Sequence, residues 1–178
     1  MATATIPAGK HETLFWSTMQ SPIGRLHIAA SNRGLRFIDF DGREFPPGNV
    51  RANWEKSEDA TQPFVGQLHE YFAGRRREFT FPLDLRGTLF QMRCWNELLR
   101  IPYGTTRSYA QVASSVECAK GFRAVGQANH RNPIPIVVPC HRVLASDGTL
   151  GGYGGGLEVK RRLLQLEGAS FEEKIASR

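Results

Sequence analysis

Cys140 sits in an octet crowded with chemically useful side chains: Ile136-Val137-Val138-Pro139-Cys140-His141-Arg142-Val143. A thiolate is a soft nucleophile, and an imidazole or a cation beside the thiol raises its population at neutral pH. The β-branched apolar run ahead of the cysteine reads as a buried strand. The octet therefore predicts a thiol delivered to the rim of a core with a base and a guanidinium next to it. The other two cysteines lack this company. Cys94 lies on the apolar stripe Phe90, Cys94, Trp95, Leu98 and reads as a core residue; Cys118 falls near a turn. The three cysteines form no C-x-x-C pair, so no disulfide framework, zinc ribbon or other metal site is expected. A reducing, intracellular setting fits them best.

The formal charge of the 178-residue chain is +6. Residues 87–178 hold twelve Lys/Arg against seven Asp/Glu, and residues 1–86 hold eleven against ten, which together restore the 23 and 17 of the whole chain. Nearly all the excess positive charge lies in the half that carries Cys140, the expected footprint of a polyanionic partner. No apolar run approaches the length of a membrane span. Residues 1–10 lack the apolar core of a secretory signal.

The elements that must position the octet follow from periodicity and turn chemistry. Thr13 to Met19, Arg25 to Ala30 and Leu35 to Phe40, separated by Ser21-Pro22-Ile23-Gly24 and Asn32-Arg33-Gly34, predict an antiparallel meander. Asp41 to Thr61 is polar and reads as a long loop. Gln62 to Ala73 predicts a helix with Pro63 in its first turn and Gly74 at its stop. A domain boundary is placed near Arg86-Gly87. Beyond it, Thr88-Leu89-Phe90-Gln91 and Ser108-Tyr109-Ala110-Gln111 are capping boxes that start two helices. Phe122 to Arg131 is a third, and the last two read as a helix-turn-helix. In that third helix Ala124, Gly126 and Ala128 are small and Arg123 and Arg131 mark its ends, as suits close approach to a nucleic-acid backbone. Ile134 to Val138 leads as a strand into the cysteine. Residues 151–156, five glycines around Tyr153, read as a loop. A final helix puts Val159, Leu163 and Leu166 inward and Lys160, Arg161 and Arg162 largely outward, stops at Glu167-Gly168, and leaves a frayed tail.

Taken together, these residues resemble the O6-methylguanine-DNA methyltransferases. The resemblance runs from Ser21-Pro22-Ile23-Gly24 to Glu167-Gly168. Its most specific motifs are Pro139-Cys140-His141-Arg142-Val143, Arg123-Ala124-Val125-Gly126, Asn132-Pro133-Ile134 and Tyr153-Gly154-Gly155-Gly156. It implies an α+β protein: residues 1–86 as a ribonuclease-H-like α/β domain with a small antiparallel sheet, and residues 87–178 as a winged-helix-like domain for DNA binding and alkyl transfer. It also implies minor-groove binding, extrusion of the damaged guanine, and transfer of its alkyl group (or that of O4-alkylthymine) to the cysteine once per molecule, with no cofactor.

The same resemblance assigns roles. Cys140 would be the nucleophile, His141 its base acting through a water, Glu167 the acid that orients the histidine, and Asn132 the clamp on the turn. Tyr109, the Val143 backbone, Tyr153, Gly154 and Lys160 would form the pocket. Arg123 would fill the gap left by the base, with Ala124, Gly126, Ala128 and Arg131 along the DNA. The expected partner is double-stranded DNA carrying alkylated guanine. The protein is expected to be a monomer, with cooperativity on DNA left open, and to be cytoplasmic, at the nucleoid in a bacterium. Three departures stand out: Gly154 where some relatives carry a serine, His130-Arg131 where many bacterial relatives have a glycine, and an unusual turn at 117–121. Three rivals are weaker, one of them a purely regulatory DNA-binding protein, which would not need the thiol. Alkyltransferase-like proteins that bind without repairing have this cysteine replaced, and a cysteine hydrolase would bring its histidine and asparagine from afar in sequence.

Overall fold

The computed structural model describes residues 12–42, 44–118 and 120–173. The reading of residues 1–10 therefore lies outside the described residues, as does the end of the tail. Three strands come first: β1 (Thr13–Ser21), β2 (Gly24–Ser31) and β3 (Gly34–Phe40). They pair antiparallel, with Ser17 opposite Ile28 and Ile28 opposite Ile38. Gly34 holds a φ of 138°, and a Cβ there would stand 2.2 Å from the Pro82 carbonyl oxygen, so the hairpin and the later chain can close only on a glycine. Alternation sends Leu26, Ile28, Ile38 and Phe40 into the core.

Two features of this half differ from expectation. The polar stretch read as a loop contains β4 (Asn53–Lys56), which pairs parallel to β1, so the sheet is mixed, in the order β3-β2-β1-β4. Four residues of mostly polar type carry no periodicity to detect. The helix, α1 (Glu58–Phe72), starts four residues earlier than predicted. Ser57 caps it, its hydroxyl accepting from the Ala60 amide, and Glu58 and Asp59 oppose the positive end of the helix dipole. Pro63 thus lies inside the helix, beyond its first turn.

Both later capping boxes form. Thr88 and Gln91 start α2 (Leu89–Leu98); Ser108 and Gln111 start α3 (Tyr109–Ser115). α4 (Phe122–His130) completes the helix-turn-helix, and the Trp95 indole of α2 donates to the Ala128 carbonyl at its back. A short parallel pair, β5 (Arg107–Ser108) with β6 (Val143–Leu144), brings the Cys140 segment beside the start of α3. α5 (Leu157–Leu166) closes the fold. One cluster of buried side chains runs from Met19 and Leu26 through Tyr71 and Trp95 to Val138 and Leu163, so sheet and helices share a core.

The run before the cysteine is not a strand. Pro133, Pro135 and Pro139 remove ladder donors from it, the Val138 amide turns back to the Ile134 carbonyl, and Ile136 takes a φ of 77°. Cys140–Arg142 is one turn of 3-10 helix. The tail is not frayed at its start either: Ala169 is buried with Leu144, Leu150 and Leu164, and the Glu172 amide bonds the Gly148 carbonyl. Among the described residues no helix is long and apolar enough to cross a membrane.

Candidate active site

Cys140 opens on a cavity of about 500 Å³. α3 supplies Tyr109 to its wall. α4 supplies Phe122, Gly126, Gln127, Asn129 and His130, and the loop before α5 supplies Gly152, Tyr153 and Gly154. Tyr109 packs closely on Gly151, where a Cβ would approach its ring to 3.2 Å. Its hydroxyl donates to the Gly152 carbonyl at 3.3 Å. A second cavity of about 300 Å³ reaches Cys140 from the side of β3 and shares Asn129, His130, Tyr153 and Gly154 with the first.

Asn132 locks the turn below the thiol. Its amide donates to the Val138 carbonyl at 2.8 Å and to Cys140 Sγ at 3.2 Å, and its oxygen accepts from the Ile134 amide at 3.0 Å. Burial pushes the Cys140 thiol up from its ordinary value, against the pull of the Asn132 amide, the Lys160 ammonium and nearby backbone amides. The imidazole and guanidinium read from the octet do not supply this pull: both turn to Glu167, the cation that acts on the thiol is Lys160, and desolvation is the larger effect.

Behind the thiol lies a buried polar hub centred on Glu167, the residue that ends α5. Its carboxylate accepts from His141 Nε2 at 2.9 Å, from Arg142 Nε and Nη2 at 2.8 Å each, from the Tyr71 hydroxyl at 2.7 Å and from the Gly104 amide at 3.2 Å. Burial works against its ionisation, yet the hydrogen bonds of His141 and Arg142 hold it well below the usual carboxylate range. Burial holds the His141 imidazole below its ordinary value, so the ring is neutral at pH 7, with Glu167 opposing the shift. An ionised carboxylate can only accept, so Nε2 carries the ring proton and Nδ1 keeps its lone pair. That Nδ1 is buried and has no hydrogen-bond partner among the described residues.

Three sequence-based placements change. Lys160 points inward, fully buried, with Nζ donating to the carbonyls of Val143, at 2.6 Å, and Leu150. Burial brings its ammonium down to about 8, with Cys140 opposing. Val143 is fully buried and its carbonyl already serves Lys160, so both residues lie behind the cavity wall. Ala128 is buried against α2; Phe122, Arg123, Ala124, Gln127, His130 and the half-buried Gly126 look outward from α4, with Arg131 exposed just past its end. The small residues thus differ in placement, with Ala128 packing the core and Ala124 and Gly126 on the outward side.

Sequence reasoning gives no role to Tyr71 or Asn129, and it reads Arg142 as the cation beside the thiol. Arg142 stands in the octet, but its two bonds to Glu167 depend on a residue 25 positions away. Tyr71 reads as part of an apolar stripe; a buried phenol needs a partner, which is the available signal. Asn129 lines both cavities, and both polar atoms of its amide are buried without a partner among the described residues.

Comparison with known proteins agrees with this geometry over almost the whole chain. Residues 89–169 match the family model for the 6-O-methylguanine DNA methyltransferase DNA binding domain, and residues 14–85 match its ribonuclease-like domain. The chain is 46% identical over 154 residues to the methylated-DNA–protein-cysteine methyltransferase of Mycobacterium tuberculosis, covering 86% of this chain and 92% of that protein. It is 40% identical over 169 residues to the constitutive enzyme of that name from Bacillus subtilis, covering 90% and 99%. The fold is similar to the crystal structure of Mycobacterium tuberculosis OGT in complex with DNA, with a TM-score of 0.79 at 45% identity over 88% of this chain and 92% of that one.

Proposed function

The chain belongs to the O6-methylguanine-DNA methyltransferase family, and we propose that it repairs DNA by moving an alkyl group from O6 of guanine to its own Cys140. The observation that carries this is the position of Cys140 Sγ. It faces a base-sized cavity, accepts a hydrogen bond from Asn132, and has the neutral His141 and ionised Glu167 directly behind it. The alkyl carbon is a soft centre bound to oxygen, for which a thiolate is the best side-chain nucleophile. Sγ forms a bond to that carbon while the carbon–O6 bond breaks, and the electron pair leaves with the guanine. The thiol proton passes through a water to Nδ1 of His141; the guanine anion takes a proton from the Tyr109 phenol, whose phenolate is re-protonated from solvent, and solvent recovers that proton when His141 returns to its neutral form. Atoms and electrons balance without a cofactor. The thioether remains on the protein, so each molecule acts once. The same displacement applies to O4-alkylthymine.

Duplex DNA is the partner, gripped by α3 and α4. Arg123, Ala124 and Gln127, among the outward residues of α4, and Arg131 just past it, follow the minor groove, and the net charge of residues 87–178 favours a polyanion. The cavity is reached by a base swung out of the stack. Unstacking costs a few kcal/mol and least at damaged pairs; Arg123 fills the space vacated. The protein acts as a monomer in the cytoplasm, at the nucleoid in a bacterium. The test is the mass of the intact protein after incubation with methylated duplex. One methyl group per molecule, mapped to Cys140, is expected. No gain, or a methyl on Cys94 or Cys118, overturns the proposal.

A further inference from the structure

β3 ends at Phe40, and its ring meets the glycine loop that walls the candidate site. Phe40 and Tyr153 pack edge to face with ring centroids 5.9 Å apart. A Cβ on Gly155 would stand 2.9 Å from two atoms of the Phe40 ring. Gly155 is not in the left-handed region, so a side chain is excluded there by the Phe40 ring and not by the backbone. Two residues earlier on β3, the Ile38 amide donates to the Pro133 carbonyl at 2.9 Å, inside the turn that Asn132 clamps. The edge strand of the N-terminal sheet therefore touches both segments that flank the thiol, and the second cavity lies between them.

We propose that Phe40 is a positioning residue for Tyr153, so that the N-terminal sheet sets the shape of the pocket that receives the alkylated base. This rests on the alkyl-transfer function above. An edge-to-face aromatic pair fixes both distance and tilt, and the 151–156 loop is rich in glycine and has little side-chain packing of its own to hold Tyr153 in place. Phe40 supplies that packing from the other half of the chain. It acts through Tyr153 and not on the reacting atoms, so its loss should weaken capture of the base more than the transfer step.

The experiment measures single-turnover transfer from free O6-methylguanine base and from methylated duplex, across a concentration series, for the full chain, Phe40→Leu, Gly155→Ala and the double variant. Phe40→Leu should raise the half-saturating concentration of the free base roughly three- to tenfold, the scale of one lost aromatic pair, with the plateau rate little changed. Gly155→Ala should do the same by pushing the ring aside. In the double variant the smaller leucine side chain leaves room for the new methyl, so the combined effect should fall short of the product of the two. A merely structural Phe40 would lower the melting temperature and leave half-saturation alone. The proposal is overturned by unchanged half-saturation in both single variants, or by effects that multiply as for independent sites. If Phe40→Leu does not fold, Gly155→Ala on the loop still decides the matter. Failure of the unaltered protein to accept any methyl from duplex would instead remove the function on which this rests.

Discussion

Cys94 and Cys140 are both buried thiols, and burial lifts both above the ordinary range. Their surroundings part them. Cys94 is packed on α2 and pushed up to about 11, with only Arg93 pulling the other way. Cys140 meets a side-chain amide donor, a buried ammonium and the open end of a cavity, and has the His141–Glu167 pair behind it. Depth does not distinguish a nucleophile from a core residue. What distinguishes them is whether polar groups offset the desolvation and whether a substrate can arrive.

The largest effect should come from exchanging the two thiols for hydroxyls. Cys140→Ser should bind methylated duplex and accept no methyl, because a serine hydroxyl is a far poorer nucleophile than a thiol. Cys94→Ser should accept one methyl per molecule at the unaltered rate. Loss of transfer in both would place Cys94 in the site and dissolve the contrast.

Next in size is the hub behind Cys140, which has no counterpart near Cys94. Glu167→Gln removes the negative charge that keeps the proton on His141 Nε2 and neutralises Arg142, and turns one of the two acceptor oxygens into a donor. Single-turnover transfer should slow by about 10²–10⁴, the usual contribution of proton transfer by a positioned group. Duplex affinity should hold. Stranding Arg142 as a buried cation should also cost about 3–5 kcal/mol of stability in chemical denaturation. An unchanged rate would mean that His141 is not oriented by Glu167.

The hub also sets how the protein meets acid. The folded value of His141 is depressed from 6.5, so below that pH the unfolded chain takes up a proton that the folded ring refuses. Stability therefore falls as pH drops past 6.5. Glu167 is likewise depressed, from 4.5; its contribution is fully present above that pH and is lost as pH falls further. Denaturation midpoints should decline from about pH 6.5 and more steeply below about 4.5. Glu167→Gln should flatten the lower limb. An equally steep limb in that variant would assign acid sensitivity elsewhere.

The same contrast explains what is legible in the sequence. Thr88 with Gln91 and Ser108 with Gln111 are local signals, three residues apart, and both boxes form as read. Cys94 as core and the 139–143 motif as a thiol beside a base are legible for the same reason. Long-range placement is not. Tyr71 reaches Glu167 across 96 positions, and nothing near either residue announces it. Lys160 reads as outward with its charged neighbours, because periodicity cannot show that two carbonyls wait inside for its ammonium. The 134–138 run carries strand-forming side chains, but the prolines in and around it remove the hydrogen bonds a strand needs, and the backbone turns instead.

The smallest effect tests the other side of the comparison, the apolar character of the Cys94 site. Cys94→Ala removes one sulfur from a packed helix and leaves a small void, worth about 1 kcal/mol on the scale of single-group deletions. Cys94→Ser keeps the volume nearly intact but sets a hydroxyl among apolar neighbours, at a cost of about 1–3 kcal/mol. In dry surroundings serine should be the worse of the two in urea denaturation, although it fills the space better. A helix interior offers one escape, since a serine hydroxyl can bond the carbonyl four residues back, here that of Phe90. Serine less destabilising than alanine would show that this bond forms and that Cys94, too, has a polar neighbour within reach. The distinction between the thiols would then rest on the cavity and the hub alone.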